Sequence, residues 1–417
     1  MAATSRILFC HCTHARVLPE ALKTAVLQRL CDAGREFVAV ADLCERCAHR
    51  DPILAQLTDG GGLKIAACHP RAIKWLFAAA GAPLSPEATE VVNLRSGDPD
   101  ALADRLLVED LVSNLVPPSI AGKTFSPSPS PTTDPAPPVF ELLLYEGPGA
   151  TPLTSDERFA VVQRLLIAGQ NVRWVCEAPG AGHGQLLGRF TVASPTEVPG
   201  LGGEWELRDL AAEAEAAPES ETKKTAPAAG RSSGPWLPWF PVIDYDRCTH
   251  CMQCLSFCLF GVFGVDEKQR IQVAAAESCK TNCPACSRVC PEAAIIFPKY
   301  ASGPINGDVV SDADLQREKM KVDISALLGG DVYSLLRQRN ARAQFRFSKE
   351  RDANQALQER LRCLKELQES IEIPPEVLMS LPGPEEIQRR AREAAARAAA
   401  AREERAAADP AASPSSE

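Results

Sequence analysis

The chain has 417 residues, enough for two or three compact units, because single hydrophobic cores rarely grow past about 250 residues. With 45% apolar and 24% charged residues and a formal net charge of -9, it reads as a soluble globular protein, and composition excludes any overall electrostatic attraction to nucleic acid or an acidic membrane. No stretch approaches the ~18 uninterrupted apolar residues of a spanning helix, and MAATSRILFCHCTH holds too short an apolar run for a signal peptide, so a cytoplasmic protein is expected.

In chain order, residues 1–116 alternate strand-like runs (RILFC, FVAVADLC, LKIAACHP, TEVVNLR) with helical ones (LPEALKTAVLQRLCDAG, RAIKWLFAAAG), the pattern of an α/β domain on a parallel sheet. Residues 117–139 are rich in Pro, Ser and Thr and predict an extended linker, as do residues 211–235. Between them, 140–210 repeats strand, helix and strand as a small α/β unit (FELLLYEG, SDERFAVVQRLLIAGQ, NVRWVCEA), with Gly169, Gln170 and Asn171 as the helix stop. The glycine-rich GAGHGQLLG, 180–188, has Gln185 where a dinucleotide-binding turn needs its third glycine, so it reads as a flexible loop and no flavin motif is found.

A cysteine-dense segment occupies 236–302, and a helical region follows over 303–383. There Leu357, Leu361, Leu364, Leu367 and Ile371 recur at helical spacing, a stripe expected to bury against a neighbour until Pro374 and Pro375 end it. The basic run 337–351 reads as a solvated helix face. The Ala/Arg/Glu-rich tail, 384–417, has strong helix formers and almost no large apolar side chain, so it is expected either as a solvated helix or as disorder.

Sixteen cysteines in a chain expected in a reducing compartment point to metal or redox chemistry instead of disulfides. Cys248, Cys251, Cys254 and Cys258 follow C-x2-C-x2-C-x3-C. A second group, Cys279, Cys283, Cys286 and Cys290 followed by Pro291, nearly repeats it. A cube of iron and sulfide offers each iron one outward position, so three closely spaced thiolates can wrap one corner while the fourth arrives from elsewhere. Two such runs resemble bacterial-type ferredoxin domains carrying two [4Fe-4S] clusters, over about residues 240–300. In that family the last cysteine of each run serves the other cluster, which implies Cys248, Cys251, Cys254 and Cys290 for one cube and Cys279, Cys283, Cys286 and Cys258 for its partner. Leu259 replaces the proline that usually follows the first run, and the second run opens with x3 instead of x2. GVFGVDEKQRIQV between the runs predicts a hairpin. Structural zinc needs only four ligands, and His250 inside the first run reads as a solvent-facing neighbour. Trp236 and Trp239 are expected to cover the apolar surface of this unit.

Cys10, Cys12, Cys44, Cys47 and Cys68 fall at the ends of the first three predicted strands. In an open parallel sheet the carboxyl ends share one edge, where ligands bind, so up to five thiols can meet there. A third iron-sulfur cluster, a dithiol centre, zinc assisted by His11, His14, His49 or His69, and plain buried core cysteines all remain open. The pieces LFCHCTH, IAACHPRAIKWLFAAAG and VVNLR resemble the N-terminal region of the flavin-binding subunit of heterodisulfide reductase. That resemblance covers about residues 5–96, carries over Cys10, Cys12 and Cys68, and implies an iron-sulfur site with an electron-handling role.

The expected whole is a multidomain α/β plus α+β protein: a parallel-sheet domain, a ferredoxin-like two-cluster domain and a helical C-terminal extension. Its expected work is to pass single electrons between redox protein partners, with no nucleic acid and no membrane, the linkers letting the ferredoxin unit swing between donor and acceptor. The competing expectation is a component of a heterodisulfide reductase-like enzyme whose N-terminal thiols do disulfide or sulfur-transfer chemistry.

Overall fold

Parallel strands buried on both faces need near-continuous apolar sequence, and the first half of the chain supplies it. The computed structural model describes residues 6–15, 17–59, 62–108, 140–180, 182–210, 237–311, 314, 353–370 and 384–408. They divide into two compact units, the first running to Pro238 and the second starting at Trp239. Both predicted linkers, Trp236 and the basic run 337–351 lie outside the described residues.

In the first unit, β1 (Arg6–Cys10), β2 (Phe37–Val40), β3 (Leu63–Ala67) and β4 (Thr89–Asn93) pair in parallel in the order β4-β3-β1-β2. Helices α1 (Glu20–Asp32), α2 (Leu43–Ala48), α3 (Pro52–Thr58), α4 (Pro70–Ala79) and α5 (Pro99–Leu107) connect them. The second half adds β5 (Phe140–Tyr145), β6 (Ala150–Thr151), α6 (Ser155–Ile167), β7 (Val172–Val175), β8 (His183–Phe190) and β9 (Glu204–Asp209). There β7-β5-β8-β9 run parallel, and β6 pairs antiparallel with β8.

From sequence, residues 1–116 and 140–210 are expected as separate domains. Instead β2 and β7 pair antiparallel, Phe37 opposite Trp174, and the two halves share one nine-stranded sheet. Each half alone would leave an apolar edge strand unpaired, and the pairing removes both edges. Arg158 of α6 fixes the junction. It pairs with Glu146 at 2.7 Å, donates to the Cys31 carbonyl of α1 at 2.5 Å and lies 4.1 Å from the centre of the Trp174 ring.

The predicted flexible loop 180–188 is also corrected, because His183–Phe190 is strand β8, flanked on both sides by parallel partners. A Cβ on Gly184 would stand 2.0 Å from the Glu141 carbonyl oxygen, so this glycine serves close strand approach.

The second unit is built from β10 (Val242–Ile243), α7 (Gln253–Phe257), β11 (Phe263–Val265), β12 (Ile271–Val273), α8 (Ala285–Val289) and β13 (Ile295–Ile296). β11 and β12 form the hairpin that the spacing predicts, and β10 pairs antiparallel with β13, so strand, cysteine run, short helix and strand occur twice. Trp239 stacks on Phe297 at 5.5 Å within the core, as expected of a covering residue.

Two longer helices, α9 (Ala353–Ser370) and α10 (Pro384–Ala408), complete this unit. Of the predicted leucine stripe, Leu361 is 63% exposed and Leu364 half-buried; Ile371, Pro374 and Pro375 lie outside the described residues, while Ala356, Arg360 and Cys363 are buried. The surface they meet offers an ion-pair partner and thiols, and α9 docks through Glu359, which accepts from the buried Arg288 at 3.2 Å. α10 buries Ala394 and Ala398 against Cys251, small residues that let a helix backbone approach closely. The tail is therefore helical over 384–408 and packed on one face. No helix among the described residues is long and apolar enough to cross a membrane.

Candidate iron-sulfur centre

The two cysteine runs line two separate cavities. In the first run, Cys248 N–H donates to the Asp244 carbonyl at 2.8 Å, and Asp244 N–H is tied to the Ala294 carbonyl at 2.8 Å, so the loop is anchored to the segment entering β13. His250 and Met252 take left-handed backbone conformations, with φ of 53° and 64°. Such alternation of backbone hand is the form that turns successive N–H groups toward an anion. The resulting cavity is lined by Cys248, Cys251, Cys254 and Cys290. The second cavity is lined by Cys258, Cys279, Cys283 and Cys286, and by Cys363 of α9.

The crossing follows from the two short helices. Cys254 is the second residue of α7 and Cys286 the second of α8, whereas Cys258 and Cys290 are the residues that end these helices. Four residues of helix rise about 6 Å, so the third and fourth cysteines of one run are carried apart toward different cavities.

Electrostatics repeats the grouping. Burial pushes the Cys254 thiol well up, and the neighbouring Cys290, Cys248 and Cys251 add to it. Burial raises Cys286 likewise, with Cys279, Cys258 and Cys283 behind it and Cys254 of the first set adding last, and burial also raises Cys283. Without a cation, such sulfurs hold their protons, and binding iron would release them. Among the described residues no group of His, Cys, Asp or Glu is arranged to hold a single metal ion.

His250 is not solvent-facing as expected from sequence. Its ring is half-buried, accepts the Ile271 N–H at 3.2 Å through Nδ1, and lies 3.8 Å from Cys248 Sγ, tying the first run to the hairpin. Cys290 Sγ accepts the Ala294 N–H at 3.3 Å. The C-terminal helices bring groups that the sequence does not mark. Arg397 of α10 donates to the Cys251 carbonyl at 3.0 Å, and Arg402 pairs with Glu292 at 3.2 Å. Arg360 of α9 lines the second cavity, 5% exposed, its Nε and Nη1 without a hydrogen-bond partner among the described residues. An isolated Arg or Cys in a helix carries no spacing signal, so only the packing identifies them.

In the first unit, strand order β3-β1-β2 brings three carboxyl ends side by side. Cys10 ends β1, Cys12 follows it with φ of 55°, and Cys68 follows β3. Cys44 and Cys47 stand on α2, one turn beyond β2, because Asp42 caps that helix by accepting the Glu45 N–H at 3.2 Å. The D-x-x-E signal for this cap is present in the sequence. All five thiols are buried. Cys10 Sγ accepts the Leu43 N–H at 3.4 Å, and burial raises its thiol well above the ordinary value, with Cys12, Asp42 and Cys68 adding to the effect. Of the nearby histidines, His14 pairs with Glu45 at 3.4 Å, His69 meets Asn93 at 3.3 Å, and His11 Nδ1 meets Thr13 Oγ1 at 3.0 Å.

Residues 240–263 match the family model described as a 4Fe-4S binding domain. This region is therefore a ferredoxin-type iron-sulfur domain, with support for at least one cluster. Comparison with curated proteins and with solved structures gives no significant match.

Proposed function

We propose that this iron-sulfur chain carries single electrons through two [4Fe-4S] clusters, passing them between redox protein partners as a carrier or as the electron-transfer component of an oxidoreductase. The observation that supports it is the division of eight cysteines into two cavities, Cys248, Cys251, Cys254 and Cys290 in one and Cys258, Cys279, Cys283 and Cys286 in the other. The donor set fits the group: all-sulfur, buried, and surrounded by apolar side chains such as Val262, Phe263 and Ile295. A bound cube would supply a one-electron couple whose potential follows hydrogen bonding to sulfur, burial and local charge.

The chain's own residues set those levers. Trp239, Phe257 and Phe297 exclude water, the Ala294 N–H stabilises negative charge on Cys290, and Arg360 supplies positive charge beside the second cavity. The test is anaerobic reconstitution with iron and sulfide analysis. About eight irons per chain and a brown, reducible protein support the reading, and a colourless protein rejects it.

The gathered N-terminal thiols favour a second assignment: Cys10, Cys12 and Cys68, with Cys44 and Cys47 nearby, as a third iron-sulfur site, in line with the resemblance to heterodisulfide reductase. Reactive dithiols are exposed and have lowered pKa values, whereas Cys10 is buried with its pKa raised, which tells against free thiol chemistry at this position. About twelve irons per chain support it. About eight, with Cys10 or Cys12 titratable by alkylation, would favour the disulfide-chemistry alternative.

A further inference from the structure

The second cavity holds one sulfur too many. A four-iron cube takes four thiolates, yet Cys258, Cys279, Cys283, Cys286 and Cys363 all line this space. Cys363 is 1% exposed and comes from α9, outside both cysteine runs. The same helix sends in Arg360, one turn earlier, which also lines this cavity; its Nε and Nη1 lack hydrogen-bond partners among the described residues, and its guanidinium carbon stands 5.3 Å from the centre of the Phe257 ring. Negative charge beside a buried guanidinium stabilises it, so Arg360 suits an anionic occupant of this cavity. The first cavity differs: the helix packed there brings Ala394 and Ala398 to Cys251 and no sulfur.

The extra thiol faces an unusual member of the second run. Cys283 follows Cys279 by one residue more than Cys251 follows Cys248, and the longer gap includes Asn282 in a left-handed conformation, φ 62°. Cys283 is only half-buried, whereas its counterpart Cys251 is buried. Cys363 and Cys283 line the same cavity, so either sulfur is placed to face its occupant.

Building on the two-cluster reading, we propose that Cys363 is an alternative ligand of the second cluster, exchangeable with Cys283. In the exchange the iron–sulfur bond to Cys283 would break as one to Cys363 forms, and the proton leaving Cys363 would be taken up by the Cys283 sulfur. Charge and electron count are unchanged, so no oxidant or reductant is needed. The exchange would let α9 fasten to, or release from, one corner of the cluster.

The test compares full-length C283A, C363A, C283A/C363A and C279A chains, reconstituted anaerobically, by iron content and electron paramagnetic resonance, with the first cluster's signal as the check on folding. C283A should keep a four-iron second cluster with a changed spectrum and potential. C279A and C283A/C363A should each give the three-iron signal of a cube lacking one ligated corner. A three-iron signal from C283A alone, or an intact four-iron cluster in the double variant, would overturn the exchange while leaving the two-cluster reading standing. A wild-type chain with no second cluster at all would overturn that reading, and the exchange with it.

Discussion

Glu359→Gln isolates what holds α9 over the second cavity. The Arg288–Glu359 pair is 3.2 Å apart, its side chains 2% and 13% exposed. At an effective dielectric constant of about 20, the attraction at that distance is about 5 kcal/mol. Desolvation offsets much of this gain in the intact pair, but removing one partner leaves the other charge buried, which typically costs about 3–5 kcal/mol. Arg288 keeps the Tyr300 hydroxyl at 2.8 Å and the Tyr300 ring at 5.6 Å, and that places the cost at the low end, about 3 kcal/mol. The neutral amide fills the same volume, so the loss is electrostatic. Hydrogen exchange of backbone amides 353–370 reads it directly. A docking equilibrium weakened by about 3 kcal/mol should speed their exchange roughly 100-fold, with the first unit unaffected. Exchange within a factor of about three of wild type would refute the claim that this ion pair anchors the helix.

Arg360→Met keeps most of the side-chain volume while removing charge beside Cys258, and should lower the potential of the second cluster alone by roughly 60–130 mV, the equivalent of about 1.5–3 kcal/mol for a charged hydrogen bond, in potentiometry followed by electron paramagnetic resonance. Ala398→Leu should weaken α10 packing by about 1–3 kcal/mol through overpacking at a fully buried site, read as faster proteolysis of residues 384–408. Burial pushes the Cys31 thiol up to about 12. In the unfolded chain that thiol ionises near its ordinary value of 9.0, so the folded state binds the extra proton between these values, and stability from this group is present below pH about 9 and lost as pH rises toward 12. Thermal melts at pH 8 and 10.5 should show a fall that Cys31→Ala reduces.

The strands of the first half are legible in the sequence because apolar runs such as RILFC and LKIAA are bounded by turn residues and buried on both faces. The ferredoxin cysteines are legible because their spacing is local and chemically specific. What escapes depends on partners distant in sequence. The β2–β7 pairing joins Phe37 to Trp174, and neither strand alone names its neighbour. Hydrophobicity marks Leu361 of α9 for burial, yet it is exposed, while contacts of this helix are made through an ion pair and a thiol, Glu359 and Cys363. Strand β8 reads as a loop because Gly184 signals flexibility as readily as close backbone approach.

The crossed division of sulfurs is tested most directly by electron paramagnetic resonance of the reduced, reconstituted Cys290→Ser chain beside Cys251→Ser and Cys286→Ser. Cys290 belongs to the second run by sequence but lines the cavity of the first. The spectrum of Cys290→Ser should therefore show the same damaged cluster as Cys251→Ser, with the other cluster intact. Coincidence with Cys286→Ser instead would contradict the account.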